Sequence, residues 1–232
     1  MYKTELHCHC NEASQCAKIS AEHLAKRYRE AGYTTVVLTN HFAPFTYRYL
    51  ECTHWQEWID RYLYAVERVR EASRGELNVL LGAEVRLNNN PNDFLLYGVT
   101  EEFLRQNEDL YNHSIEELYP MAKENGILVI QAHPFRNHMR ITPPDWIDGI
   151  EVYNGSAGGY YGTDSRNDVA EFWANKFPRI RTSGTDLHYP EDAINAGIVT
   201  EAPITTREEL VATLKGGNYQ WIKGGEVYGH TD

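Results

Sequence analysis

His7 and His9 bracket Cys8 at the end of the first apolar stretch of the chain. In an extended segment residues two apart point to one side, so this pair of imidazoles makes half of a metal site. Residues able to supply the other half recur downstream as His41, Glu84, His133, Asp186 and His188, and the last two repeat the one-residue spacing. Taken singly, each has an ordinary explanation. A histidine most often sits at the surface or in a hydrogen bond, a glutamate pairs with an arginine, and an aspartate closes a turn. Together the imidazoles and carboxylates exceed what one tetrahedral ion takes, which predicts more than one cation with a carboxylate bridging. Imidazole and carboxylate without thiolate suit zinc, manganese or iron.

The elements that must position these residues alternate along the chain. Strands are expected at Thr4–Cys8, Thr34–Thr39, Asn78–Val85, Asp93–Tyr97, Ile127–Ala132, Gly149–Tyr153, Arg181–Ser183, Ile194–Val199 and Tyr219–Ile222, from β-branched and apolar runs bounded by turn residues. Helices are expected from Ala21 to Ala31 behind a Ser20 cap, from a Thr53 cap to Arg74, from a Ser114 cap with Glu117 as capping-box partner to Glu124, from Ser165 to Lys176, and from Thr206 to Leu214. Strands alternating with helices predict a mostly parallel α/β sheet. Such a sheet can close into a TIM-like barrel whose chemistry gathers at the C-terminal strand ends. Every candidate ligand falls at or just past such an end.

Composition narrows the rest. The 232 residues, 42% of them hydrophobic, suit one barrel domain over 1–232 with a sizeable core. No apolar run approaches the roughly 20 residues that span a bilayer, and the Met1–Glu5 start lacks a leader's basic and apolar segments. The expectation is therefore a cytoplasmic protein without a membrane partner. Its thiols are expected to be reduced, with Cys8 and Cys10 facing away from His7 and His9 as packing groups. A formal charge of −11 argues against an extended grip on nucleic-acid backbone. It leaves room for a small phosphorylated substrate beside bound cations. The oligomeric state is not legible.

Several stretches resemble motifs of the PHP family, the polymerase and histidinol phosphatase domains: Glu5-Leu6-His7-Cys8-His9, Leu38-Thr39-Asn40-His41, Gly82-Ala83-Glu84, Ala132-His133-Pro134, Glu151-Val152-Tyr153-Asn154 and Thr182-Ser183-Gly184-Thr185-Asp186-Leu187-His188. The resemblance implies a distorted (β/α)7 barrel with two or three divalent ions at the C-terminal strand ends. It places one ion on His7, His9, Glu84 and Asp186, a second on Glu84 and His133, and a third on His41 and His188. The chain departs from the pattern at three points. Asn40 stands where the motif has an aspartate. A ligand expected shortly after the first pair has Glu12 and Gln15 as its nearest candidates, and a histidine expected after Glu84 has its place taken by Asp93.

The function this implies is hydrolysis of a phosphomonoester or phosphodiester in a small metabolite or nucleotide by a cation-activated water. Glu84, Asp186 and His188 would carry catalysis, with Arg136 and Asn154 contacting substrate. The same chemistry could instead cleave an amide or lactone, and a domain that keeps metals for stability while binding a partner is the non-enzymatic reading. The aromatic Phe42–Trp58 segment could form a lid or wall of the site, and the glycine- and tyrosine-rich stretch from Gly155 to Gly162 could fold over a ligand.

Overall fold

The computed structural model describes residues 1–156, 164–177 and 179–229. The strands are β1 (Tyr2–Glu5), β2 (Tyr33–Leu38), β3 (His41–Phe42), β4 (Asn78–Arg86), β5 (Asp93–Tyr97), β6 (Leu128–Gln131), β7 (Gly149–Asn154), β8 (Ile180–Gly184), β9 (Gly197–Thr200), β10 (Gln220–Lys223) and β11 (Glu226–Tyr228). The helices are α1 (Ala21–Glu30), α2 (Pro44–Tyr49), α3 (Trp55–Ser73), α4 (Glu101–Gln106), α5 (Ile115–Glu124), α6 (Asn167–Ala174) and α7 (Arg207–Gly216). Local chemistry accounts for the helix starts. Ser20 accepts from the His23 amide, and Ser114 with Glu117 and Thr206 with Glu209 form full capping boxes. The cap of α3 is His54 rather than Thr53, whose amide and hydroxyl instead bond the Glu57 carboxylate. Helix α1 buries Ala21, Leu24, Ala25 and Tyr28, the stripe a 3.6-residue period puts on one face.

The strands form one curled sheet in the order β11-β10-β9-β1-β2-β4-β5-β6-β7-β8, with β3 beside β4. Pairings β1–β2, β2–β4, β6–β7 and β7–β8 are parallel, as the alternation of elements predicts. Strand β5 runs antiparallel to both β4 and β6. The physical reason is length, because residues 87–92 are too few for a helical crossover, and a parallel return needs a dozen or more. Strands β9, β10 and β11 extend the sheet antiparallel beyond β1.

Beyond Gly184 the chain continues against the segment after β1. The Asp186 amide donates to the His7 carbonyl at 2.6 Å, the His9 amide to Leu187 O at 3.0 Å, and Cys8 bridges Leu187. The two ends of the parallel run are thus drawn together at their C-terminal side, in the manner of a distorted TIM-like barrel. Strand β1 ends its ladder at Glu5, short of the expected Cys8, so His7 and His9 stand on this irregular continuation. Side chains alternate across the strands. Val37, Leu80, Leu95, Tyr97, Leu128 and Ile130 fill the concave side, while Val36, Leu38, Val79, Phe94, Leu96 and Val129 pack under the helices. Among the described residues no helix is long and apolar enough to cross a membrane.

Candidate metal centre

Several separate segments deliver the residues to one buried place. Between β1 and α1, His7 and His9 alternate with Cys8 and Cys10, whose side chains turn into the core as expected. Strand β4 delivers Glu84 opposite His41 of β3 in parallel register. After β6 and β8 the chain turns at His133 and Asp186 with φ of 28° and 55°. Non-glycine residues adopt that left-handed region at a cost of about 1–3 kcal/mol, and such strain gathers at functional sites. Gly184 permits the approach of β8 to β1, since a Cβ there would lie 2.4 Å from the Cβ of His7.

Glu84 and Asp186 face the first histidine pair together. Glu84 Oε1 lies 3.4 Å from His7 Nε2, and Oε2 lies 3.4 Å from His9 Nε2. Asp186 Oδ1 lies 3.4 Å from His7 Nε2 and 3.2 Å from His9 Nε2. Glu84 also reaches His133 Nε2 at 3.1 Å and His41 Nδ1 at 2.7 Å. Potential ligand atoms come together as His7–His9–Asp186, His7–Glu84–His133 and His9–His41–His188.

The donor set fits a divalent cation. His7 Nε2, His9 Nε2, His41 Nδ1 and Glu84 Oε2 are buried without a hydrogen-bond partner. Close approach without hydrogen-bond alignment is what lone pairs aimed at a shared point produce, and buried polar atoms left this way are costly unless something charged joins them. The ring orientations are fixed from behind. His7 Nδ1 meets Glu151 Oε1 at 2.9 Å and His188 Nδ1 meets the Asp186 carbonyl at 2.9 Å, which leaves each Nε2 lone pair facing the cluster. Glu151 Oε2 additionally accepts from the His133 amide and from Asn154 Nδ2.

Charges respond to this crowding. Burial raises the Glu84 and Asp186 carboxyls, but adjacent imidazoliums, with Arg136 beside Asp186, outweigh it and hold both well below the usual carboxylate range. Burial disfavours the His7 imidazolium, yet Asp186, Glu151 and Glu84 raise its pKa well above the ordinary value. His9 is driven the other way by burial, His188 and His41.

The remaining candidates divide. Asp93 stands directly across the ladder from Arg86, and its carboxylate accepts from Arg86 Nε at 2.6 Å and from Nη2. It is 3.8 Å from His133 Nε2 and outside the three clusters. Glu12 accepts from the Ala21 amide at the start of α1, and Gln15 is exposed. Asn40 braces the loop, its Oδ1 accepting from the Cys10 amide and the Ser14 hydroxyl. Arg136 and Asn154 do meet at the centre. Arg136 Nη2 donates to Asp186 Oδ2 at 2.7 Å and to Asn154 Oδ1 at 3.0 Å, while its buried Nε has no partner. Of the aromatic segment, Phe42, Trp55 and Trp58 pack in the core, and Phe45 reaches His41 and the Arg86 guanidinium. Residues 157–163, most of the stretch expected to fold over a ligand, lie outside the described residues.

Two polar residues to which the sequence assigned no role stand here, Glu151, read only as part of a resembling stretch, and Cys16. An acidic residue inside the apolar strand Gly149-Ile150-Glu151-Val152 is itself a signal, because a buried carboxylate needs partners. Cys16 lies beside His41 and His188. Burial pushes its thiol up, but those two rings bring it down to about 6.

The curled α/β sheet gathers histidines and carboxylates past its strand ends, a donor set of the kind that takes divalent cations. Solved structures share this fold. The chain superposes on a two-domain protein from Bacteroides vulgatus containing a predicted PHP-like metal-dependent phosphoesterase, with TM-score 0.68 and 14% identity, over 97% of this chain and 66% of that one. A lesion-specific endonuclease from Pyrococcus furiosus matches with TM-score 0.61 and 18% identity, over 93% of this chain and 56% of that one. An amidohydrolase from Chromobacterium violaceum, with bound sulfate and no metal, matches with TM-score 0.55 and 15% identity over 90% and 96%. The chain thus spans under two thirds of the first two of these proteins, and at such identities the likeness is one of fold. No protein-family model and no curated protein matches the sequence.

Proposed function

We propose that the protein is a metal-dependent phosphoester hydrolase acting on a small phosphorylated metabolite or nucleotide. The observation that carries this reading is the buried cluster of unpartnered imidazole and carboxylate atoms around Glu84 and Asp186, with a guanidinium at its edge. His7, His9, Glu84 and Asp186 would hold one divalent ion, Glu84 and His133 would contribute to a second, and His41 and His188 to a third, with zinc, manganese and iron all compatible with the donors. Ions bound there supply positive charge against phosphoryl oxygens and activate water.

The chain's own groups do the positioning. Glu151 holds the His7 tautomer, and Arg136 with Asn154 holds Asp186 Oδ2, so that Oδ1 faces the histidine pair. The unpartnered Arg136 Nε offers a phosphoryl oxygen a charge-assisted hydrogen bond in a nearly dry setting. Replacing Arg136 with lysine keeps a charge and loses the planar fork. The expected outcome is a KM for phosphoesters raised by about tenfold with bound metal little changed, read from steady-state kinetics and elemental analysis.

The test of the function is Asp186→Asn. Metal content and turnover on a panel of phosphomonoesters, phosphodiesters and lactones are measured for wild type and variant, each loaded with manganese or zinc. Loss of metal together with phosphoester turnover supports the reading. Unchanged metal content with unchanged turnover would overturn it, and activity confined to lactones would reassign the bond cleaved.

A further inference from the structure

We propose that Arg86 is a specificity-determining residue that takes a second anionic group of the substrate, so that the phosphoester cleaved also carries a carboxylate or a further phosphate. The inference rests on the reading that the centre hydrolyses phosphoesters, and it names the class of molecule brought there.

Side-chain exposure shows where the centre meets solvent. His7, His9, Glu84, His133 and Asp186 are at most 2% exposed, whereas His41 is 12%, His188 17% and Arg136 19% exposed. Phe45 joins Arg86 to that opening. Its ring stands edge-on to His41 with centroids 5.5 Å apart, and the guanidinium carbon of Arg86 lies 6.0 Å from its centroid. Strand alternation gives the same placement. Arg86 follows Glu84 by two residues on β4, so the two side chains leave on one face from backbone positions about 6.6 Å apart.

The guanidinium is held without being saturated. Asp93 is 2% exposed and directly across the ladder, and it accepts from Nε at 2.6 Å and from Nη2. Arginine has further N–H donors in the same plane, and among the described residues Nη1 donates to none. The Arg86 side chain is itself 40% exposed, so a ligand can reach that edge. Asp93 thus fixes the plane of the fork and leaves donors for an anion.

Arg136 works elsewhere. Its guanidinium is anchored on Asp186 past β8, that of Arg86 on Asp93 of β5, and β6 and β7 lie between in the sheet. A phosphoryl group at the metal residues meets Arg136, and a second anionic group on the same molecule meets Arg86. The formal charge of −11 opposes a doubly charged ligand at long range, so its retention falls to local cations.

The experiment compares kcat/KM of the manganese-loaded protein for propyl phosphate, the same ester ending in a carboxylate, and the same ester ending in a second phosphate. The expected result is a preference of about tenfold or more for an acidic tail, the size of a charge-assisted hydrogen bond, carried by KM. The preferred tail identifies the group. Arg86→Gln combined with Asp93→Asn puts a neutral amide pair in place of the ion pair, and the preference should be lost. A merely structural brace would lower turnover of all three esters together, as Arg136→Lys should through their shared phosphoryl group. Arg86→Lys, whose one ammonium stays on Asp93, should also lose the preference and covers failure of the double variant to fold. Equal kcat/KM for the three esters in the wild type, or a preference that survives in both Arg86 variants, would overturn the Arg86 assignment and leave the phosphoester reading intact. Wild-type turnover of none of them would overturn both.

Discussion

Glu84→Gln is expected to strip the centre of metal and lower phosphoester turnover by more than about 100-fold, a larger loss than removal of an outer partner produces. One carboxylate reaches four imidazoles, those of His41 and His133 at 2.7 and 3.1 Å and those of His7 and His9 at 3.4 Å each. Glutamine keeps the shape and one carbonyl oxygen but removes the charge and one of the two lone-pair-bearing oxygens. Every pair of histidines that shares Glu84 loses its common anion. Elemental analysis and turnover check this, with circular dichroism to verify folding. Full metal content with wild-type turnover would remove Glu84 from the centre.

Glu5→Ala is expected to cost about 3 kcal/mol or more of stability, because it orphans several buried donors, each worth about 1–3 kcal/mol when unsatisfied. Glu5 is fully buried beneath the metal residues. Its Oε1 accepts from the amides of Leu6, His7 and Thr185, and its Oε2 meets Tyr28 OH at 2.9 Å and Thr185 Oγ1 at 2.5 Å. This side chain therefore joins the His7 segment to the Asp186 segment.

Burial raises the Glu5 carboxyl from 4.5 to about 7 against the pull of the Thr185, His7 and Tyr28 hydrogen bonds. A raised carboxyl contributes stability that is complete below 4.5 and is lost as pH rises through about 7, since the unfolded chain gives up its proton first. Glu5→Gln mimics the protonated acid, so it should recover most of the stability lost in Glu5→Ala and flatten that part of the pH profile. Denaturant unfolding of the metal-stripped protein across that range measures both. An alanine variant as stable as wild type would show that the pocket refills its hydrogen bonds by other means.

The candidate residues were legible because their types are rare at strand ends and their order along the chain is informative. His7, His9, His41, Glu84, His133, Asp186 and His188 are all brought within one cluster, and Arg136 with Asn154 stands at its edge. Strand and helix positions were legible from apolar period and caps, as Ser20, Ser114 and Thr206 show. Asp93 shows where sequence reasoning meets its limit. A carboxylate near a gap in a ligand pattern reads as a substitute ligand, but antiparallel register sets it opposite Arg86, and a guanidinium takes both oxygens. The direction of β5 follows from a six-residue connection whose consequence is visible only once the strands are paired.

By itself, then, the sequence determined the alternating elements, the face on which each histidine stands relative to Cys8 and Cys10, and the donor chemistry of the centre. Those properties depend on residue type and on periods of two and 3.6, which are local. Only the tertiary structure decided that β8 closes against the end of β1 through Gly184, and that Glu151 and Glu5 brace the ligand segments from behind. Those pairings join residues far apart in the chain. They are set by register and by the satisfaction of buried polar groups, and neither leaves a periodic trace in the sequence.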